Sequence, residues 1–417
     1  MTSCKILYVT GLAGPIKDIL TGKKEDEITH AAQFFHVWHK LVQRGHQVDF
    51  VVASNFNEKT NIQVDWFSEK NIYANVYDPL IENMLWYKRI IRRIKRFLKL
   101  LYYTNKAISE NKYDFIYGKA YYEGLAGNIV ANLRGVPCGM RSMGTMLNED
   151  FKKYGPFGTA LRRPIEFLTF KLKKEFFIMT DDGTKGDLVY EQWKPNPEKY
   201  DFYFLKTGIA IKAINELKPS ITVPEHDYLF FASRFDNWKR HDRILKILHN
   251  LHLKGKYLHL YFAGSIASQN YYDGIKNFVK EYELDEYVHF LGTVKQDDLK
   301  VYAYNAVANP LMYDISNLGN VFFEMFSVGS VIIGLNDGSL NDYIIDKENG
   351  FIVDDEEEAC TVIEELLNDG DMVERIRENA ITYTKENVMS IDERFNMEVD
   401  LIEKIMLDRQ LKNDRKK

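Results

Sequence analysis

The stretch DISNLGNVFFEMFSVGSVIIGLNDGSLNDYI, residues 314–344, decides how this chain is to be read. A polar turn carrying Ser316, Asn317, Gly319 and Asn320 leads into the apolar segment VFFEMF. Gly329 closes that segment, and SVIIGL (330–335) follows as an unbroken apolar run of strand length. Turn, helix, glycine and strand in this order form part of a βαβ unit. Its strands are covered on both faces and so read as continuous Val/Ile/Leu/Phe runs. Main-chain amides opening such a helix, beside polar turn residues, suit an anion or sugar hydroxyls. Glu324 lies in the first turns of an otherwise apolar helix. It is placed to accept two hydroxyls of a ribose, or simply to complement the helix dipole.

Runs of the same kind recur outward from this stretch. On the N-terminal side they are KILYVT (5–10), QVDFVVAS (47–54), YDFIYG (113–118), PCGMRSMG (137–144) and FFIMTDD (176–182). Nearer to it lie YLFFAS (228–233), LHLYFAG (258–264), VHFLG (288–292) and VANPLM (307–312), with GFIVD (350–354) beyond. Helix-length segments separate them; residues 25–44, ending at Gly45, are an example. Residues 196–226 punctuate the pattern, since PNPEKY and KPSITVPEH supply four of the ten prolines around that junction. The expectation is an α/β chain of two doubly wound Rossmann-like domains with a cleft between them. The N-terminal domain spans 1–205, the C-terminal domain 206–389, and a final helix 390–417. Ligands of such sheets bind beyond the carboxyl ends of the strands.

Composition narrows the function. With 417 residues, 45% hydrophobic and 28% charged, the chain is neither collagen-like, coiled-coil nor disordered. It has no apolar run of the roughly 20 residues a spanning helix needs and no signal-peptide pattern at MTSCKILYVT. Cys4, Cys138 and Cys360 are too scattered for a disulfide framework or a zinc knuckle. A cytoplasmic protein is expected. Its charge is uneven: residues 1–200 carry 30 Lys and Arg against 22 Asp and Glu, a net +8. The remainder carries 25 against 38, a net −13. Two bodies with different partners are implied.

The segment FFASRFDNWKRHDRIL (230–245) joins a strand to a helix and sets Arg234 five residues before Lys239. A guanidinium fork and an ammonium at a strand's carboxyl end suit a diphosphate, and the alternative is two solvated surface cations. His36 and His39 are spaced to share a helix face, but no acidic or Cys third ligand lies near them in sequence, and no DxD metal pair or P-loop is found. No metal and no other cofactor is expected. The segment LWYKRIIRRIKRFLKLLYY (85–103) sets Trp86, Ile90, Ile94, Phe97 and Leu101 at spacings of three and four among seven Lys and Arg. It is an amphipathic helix, suited either to an anionic membrane surface or to packing with a basic solvent face. Residues 151–177 repeat the mixture of basic and aromatic side chains. No nucleic-acid-binding module accompanies the charge.

In their order and intervals, ASRFDNWKRHD, LYFAG (260–264), VHFLGTV (288–294) and SNLGNVFFEMFSVGSVII (316–333) resemble the nucleotide-sugar domain of retaining GT-B glycosyltransferases of family 4. RGHQVDFVV (44–52), NLRGVPCG (132–139) and the glycine-bearing VTGLAGP (9–15) resemble that family's N-terminal domain more weakly. The resemblance implies a hexosyltransferase acting from a nucleotide-diphosphate-sugar donor, with a glycan or lipid-linked acceptor, as in surface polysaccharide or glycoconjugate synthesis. It assigns the donor to Gly14, Arg234, Lys239, Gly292, Val294, Ser316, Asn317, Leu318, Gly319, Asn320 and Glu324. Catalysis falls to Arg234, Lys239 and Lys119, the last standing where the family often has a His. Ser316 occupies the place of the family's first Glu. The resemblance also sends the final helix back onto the N-terminal domain, and a basic N-terminal surface is common where acceptors are lipid-linked, which adds peripheral contact with the inner membrane face. His46 is read as structural. A non-catalytic nucleotide-sugar-binding protein and a nucleotide-sugar epimerase are the alternatives.

Overall fold

The computed structural model describes residues 3–11, 33–54, 69–77 and 85–414. Gly14 lies outside them. The described chain forms two compact units. The first comprises residues up to Asp181, Lys185–Lys206 and everything from Ile391; the second comprises Asp182–Thr184 and Thr207–Ser390.

The first unit is built on seven parallel strands: β1 (Lys5–Gly11), β2 (Gln47–Ser54), β3 (Ile72–Tyr77), β4 (Phe115–Lys119), β5 (Cys138–Ser142), β6 (Phe176–Asp181) and β7 (Asp201–Lys206). They lie in the order β3-β2-β1-β4-β5-β6-β7. Alternation along the strands divides the core into two layers. Ile6 and Tyr8 of β1 face one layer with Trp38, Phe50, Tyr117 and Phe176. Leu7 and Val9 face the other with Val51, Ile116, Met140 and Phe177. Helix α1 (Gln33–Gln43) covers the first face; α2 (Trp86–Glu110) and α3 (Tyr121–Arg134) cover the second. Helices α4 (Leu147–Arg162), α5 (Pro164–Lys171) and α6 (Gly186–Trp193) complete the unit on that side.

The second unit begins with β8 (Tyr228–Ala232), α7 (His241–Leu253), β9 (His259–Ala263), α8 (Gln269–Glu281), β10 (Val288–Gly292) and α9 (Gln296–Asn305). It continues through β11 (Asn309–Leu311), α10 (Asn320–Phe326), β12 (Ile332–Leu335), β13 (Phe351–Val353), α11 (Glu356–Asn368) and α12 (Gly370–Asn387). The strands pair in parallel as β10-β9-β8 and β11-β12-β13. A parallel bridge between Leu229 and Ala308 joins the two sets. A single hydrophobic core runs through all six strands.

Helix α13 (Ile391–Asp414) belongs to the first unit. Its Phe395, Val399, Ile402 and Met406 pack in the layer that holds Tyr8 and Trp38. His46 is fully engaged there: Nε2 lies 2.9 Å from Glu403 Oε1, and Nδ1 accepts the Cys4 amide at 3.3 Å.

Two strands escape the sequence reading, β3 and β7, and both are sheet edges. β7 lies within the proline-marked segment 196–226, so the junction between the units starts only after Lys206.

Candidate functional site

Arg234 and Lys239 lie in the connection from β8 to α7, at the carboxyl end of β8. Gly264 makes this edge tight. It sits at φ +155, and a Cβ there would lie 1.9 Å from the Ser233 carbonyl oxygen. Only glycine lets β9 end so close to β8. The Gly264 amide also donates to the Gly292 carbonyl at 2.7 Å, so the ends of β8, β9 and β10 form one rim. Gly292 is exposed on it with φ +66, and Val294 is half-buried two residues on.

Sequence reading missed the residue that organises the rim, Arg240. It sits at φ +54. Its Nε and Nη2 donate to Asp242 at 3.0 and 2.8 Å, and its Nη1 donates to Asp314 Oδ1 at 2.8 Å. Asp314 opens the loop that carries Ser316–Asn320, and its amide donates to the Trp238 carbonyl at 3.0 Å. One guanidinium therefore holds the Arg234–Lys239 loop against the Ser316–Asn320 loop, as its bidentate geometry allows. The short Arg-x-Asp spacing was the only local sign of this.

The two cations differ. Arg234 is exposed, and its nearest acidic partner, Asp236, is 3.9 Å away. Lys239 is half-buried, with Nζ 3.6 Å from the Tyr313 ring centre and 3.9 Å from that of Trp238. Burial first, and the Arg234 charge second, pull its ammonium down to about 7. A half-buried ammonium beside an exposed guanidinium suits an anion.

Ser316–Asn320 divide by role. Asn317 is fully buried and its side chain is spent inside the loop. Oδ1 accepts the Tyr313 amide at 2.8 Å, and Nδ2 donates to Asp337 Oδ2 at 3.0 Å. Its amide donates to Ser339 Oγ at 2.9 Å. Its side chain thus shapes the turn that the resemblance assigns to the donor. The Ser316 hydroxyl accepts the Leu318 amide at 3.2 Å, and Leu318 itself is buried in the core. Gly319 and Asn320 are half-buried at the start of α10. Glu324, on the same helix, accepts from Gln296 Nε2 at 3.1 Å. Burial raises its carboxyl above the ordinary range, against the opposing pull of Lys300.

Lys119 belongs to the first unit, at the carboxyl end of β4, and is buried. Burial, then Arg141, bring it down to about 7, with Glu123 opposing. Glu123 forms an ion pair with Arg96, and a Cβ on Gly11 would lie 3.1 Å from its Oε1. Hence β1 and β4 of this unit end over a buried carboxylate and a buried amine.

Residues 214–383, which hold Arg234, Lys239 and the Ser316–Glu324 stretch, match the family model described as Glycosyl transferases group 1. No curated protein matches the chain in sequence. Among solved structures, sucrose-phosphate synthase from Thermosynechococcus elongatus is similar at a TM-score of 0.69 and 14% identity, over 99% of this chain and 100% of that one. A glycosyltransferase from Rickettsia africae ESF-5 scores 0.64 at 13% identity, over 98% and 99%. The Anabaena protein HepE, in complex with UDP and glucose, scores 0.63 at 13% identity, over 95% and 98%. The chain thus has the GT-B glycosyltransferase fold of paired Rossmann-like units, and its second unit carries the group 1 glycosyltransferase sequence pattern.

Proposed function

We propose that this protein is a retaining glycosyltransferase of family 4 that takes its sugar from a nucleoside diphosphate. The observation that carries the reading is the rim of the second unit, where Arg240 ties the loop that bears Arg234 and Lys239 to the Ser316–Asn320 loop. Arg234 grips the diphosphate and Lys239 adds the second positive charge as the bond to the sugar breaks. Glu324 takes the ribose hydroxyls in exchange for Gln296. The leaving diphosphate oxygen accepts the proton of the acceptor hydroxyl. Uracil is the first base to try, because HepE was crystallised with UDP and glucose.

The first unit is assigned the acceptor, a glycan or a lipid-linked sugar, with Lys119 steadying negative charge. Its basic helix α2 is assigned contact with an anionic membrane. Neither a metal nor another cofactor enters this scheme.

Calorimetric titration with UDP, GDP and ADP tests the donor site. One nucleotide should bind selectively, and Glu324→Ala should weaken it. With the matching nucleotide sugar, Arg234→Ala and Glu324→Ala should each lower kcat/KM tenfold or more, about 1.4 kcal/mol of transition-state stabilisation. Wild-type turnover in both variants would refute the site. Binding without turnover would leave a nucleotide-sugar-binding protein.

A further inference from the structure

The opposite edge of the second unit's sheet carries a cluster that the donor chemistry does not use. His226 precedes β8 by two residues, His259 opens β9, and His289 is the second residue of β10. These strands are adjacent, and Tyr228 lies opposite His259 just as His289 lies opposite Tyr261. With side chains alternating between faces, the register puts all three imidazoles on one face at the amino ends of the strands. One ring nitrogen from each lies within 4.8 Å of the others. Among the described residues this is the one such group of three or more His, Cys, Asp or Glu.

The details suit a cation. His259 Nδ1 and His289 Nε2 are 2.9 Å apart, each directing a nitrogen at the other. His226 stacks on His259 with centroids 3.7 Å apart, and its Nε2 lies 2.9 Å from the Tyr261 hydroxyl, which fixes that ring. Of His259 Nδ1 and His289 Nε2, one carries the hydrogen of the bond between them, and a bound cation displaces it to use both lone pairs. Zinc binds imidazole nitrogen at about 2.0–2.1 Å, which sets nitrogens about 3.3 Å apart in a tetrahedron. The three nitrogens, now within 4.8 Å of one another, must close to that spacing when the ion binds.

We propose that His226, His259 and His289 form a three-histidine site for a late first-row divalent ion, typified by Zn²⁺, with the fourth position left to water. Imidazole donors select this class over Mg²⁺ or Ca²⁺. The site staples the starts of β8, β9 and β10. Five-residue strands put it about 16 Å from the donor rim, so it acts on stability and not on sugar transfer.

The test uses the full-length protein without a histidine tag, stripped with chelator and titrated calorimetrically with zinc sulfate. One equivalent should bind with a micromolar or tighter dissociation constant and raise Tm. His226→Gln, His259→Gln and His289→Gln should each weaken binding at least tenfold and abolish the rise in Tm. His226 is exposed and the other two are half-buried, so metal-free circular dichroism should be unchanged. No binding by the folded wild type overturns the proposal. So does wild-type affinity retained in any of the three variants, which would place the ion elsewhere.

Discussion

At the scale of single residues, Lys239 gives the sharpest prediction. Its ammonium sits at about 7 in the free protein because burial and Arg234 disfavour the charge. A diphosphate supplies the missing countercharge and lifts it again. Binding therefore takes up a proton above pH 7 and none well below it. Affinity for the nucleoside diphosphate should fall as pH rises from about 7 to 9, approaching tenfold per unit. Calorimetry in buffers of different ionisation enthalpy reads the proton uptake directly. Lys239→Arg should flatten the profile, since a guanidinium stays charged throughout. An equally steep profile in that variant would move the titration to another group. Asn317 marks the limit of what single residues disclose in sequence. Its type and place in a polar turn suggest a sugar contact, yet its partners Asp337 and Ser339 lie 20 and 22 residues away. Nothing local announces them.

Among elements, legibility in the sequence follows burial. Central strands such as β4 and β6 are buried along nearly their whole length and read as apolar runs. The edge strands β3 (IYANVY) and β7 (DFYFLK) are mostly half-exposed, carry polar residues and lose that signal. The imidazoles of the three-histidine cluster escaped for a related reason: they are spaced 33 and 30 residues apart, and only strand register unites them. Helix α13 illustrates how an element returning over a long sequence distance is fixed. Glu398 is fully buried and meets Arg141 at 2.9 Å, Arg394 at 3.1 Å and the Tyr117 hydroxyl. Removing that carboxylate takes a shared countercharge from two buried guanidinium groups. Glu398→Ala should cost about 3–5 kcal/mol, read as a lower urea midpoint for the first unit. A change below about 1 kcal/mol would show that apolar packing of Phe395 and Val399 alone docks the helix.

For the whole molecule, the charge split acquires a location. The first 200 residues carry the net +8, and much of it lies on α2. Every residue from Leu85 to Ile91 is exposed. Trp86 is 73% exposed, Ile94 53% and Leu98 57%, so the apolar stripe is open over the first turns of the helix. Packing begins only at half-buried Phe97 and buried Leu100. Helix α4 adds Phe157 and Leu161, 79% and 71% exposed, beside Arg162 and Arg163. Apolar side chains interleaved with cations match the interface of an anionic bilayer, where each cation contributes about 1 kcal/mol and binding also grows with the apolar area buried. Arg96 of this helix is committed to Glu123. The protein should therefore sediment with phosphatidylcholine vesicles containing phosphatidylglycerol, but not with phosphatidylcholine alone. Raising salt to about 1 M, where the screening length is near 3 Å, should release it. Arg89→Glu with Arg93→Glu should weaken vesicle binding tenfold or more. Trp86→Ser with Ile94→Ser keeps the charge and should weaken it too. If only the charge variant lost binding, α2 would lie on the headgroups without inserting. If neither variant did, the basic helix would serve another partner, and the acceptor would have no reason to be a lipid.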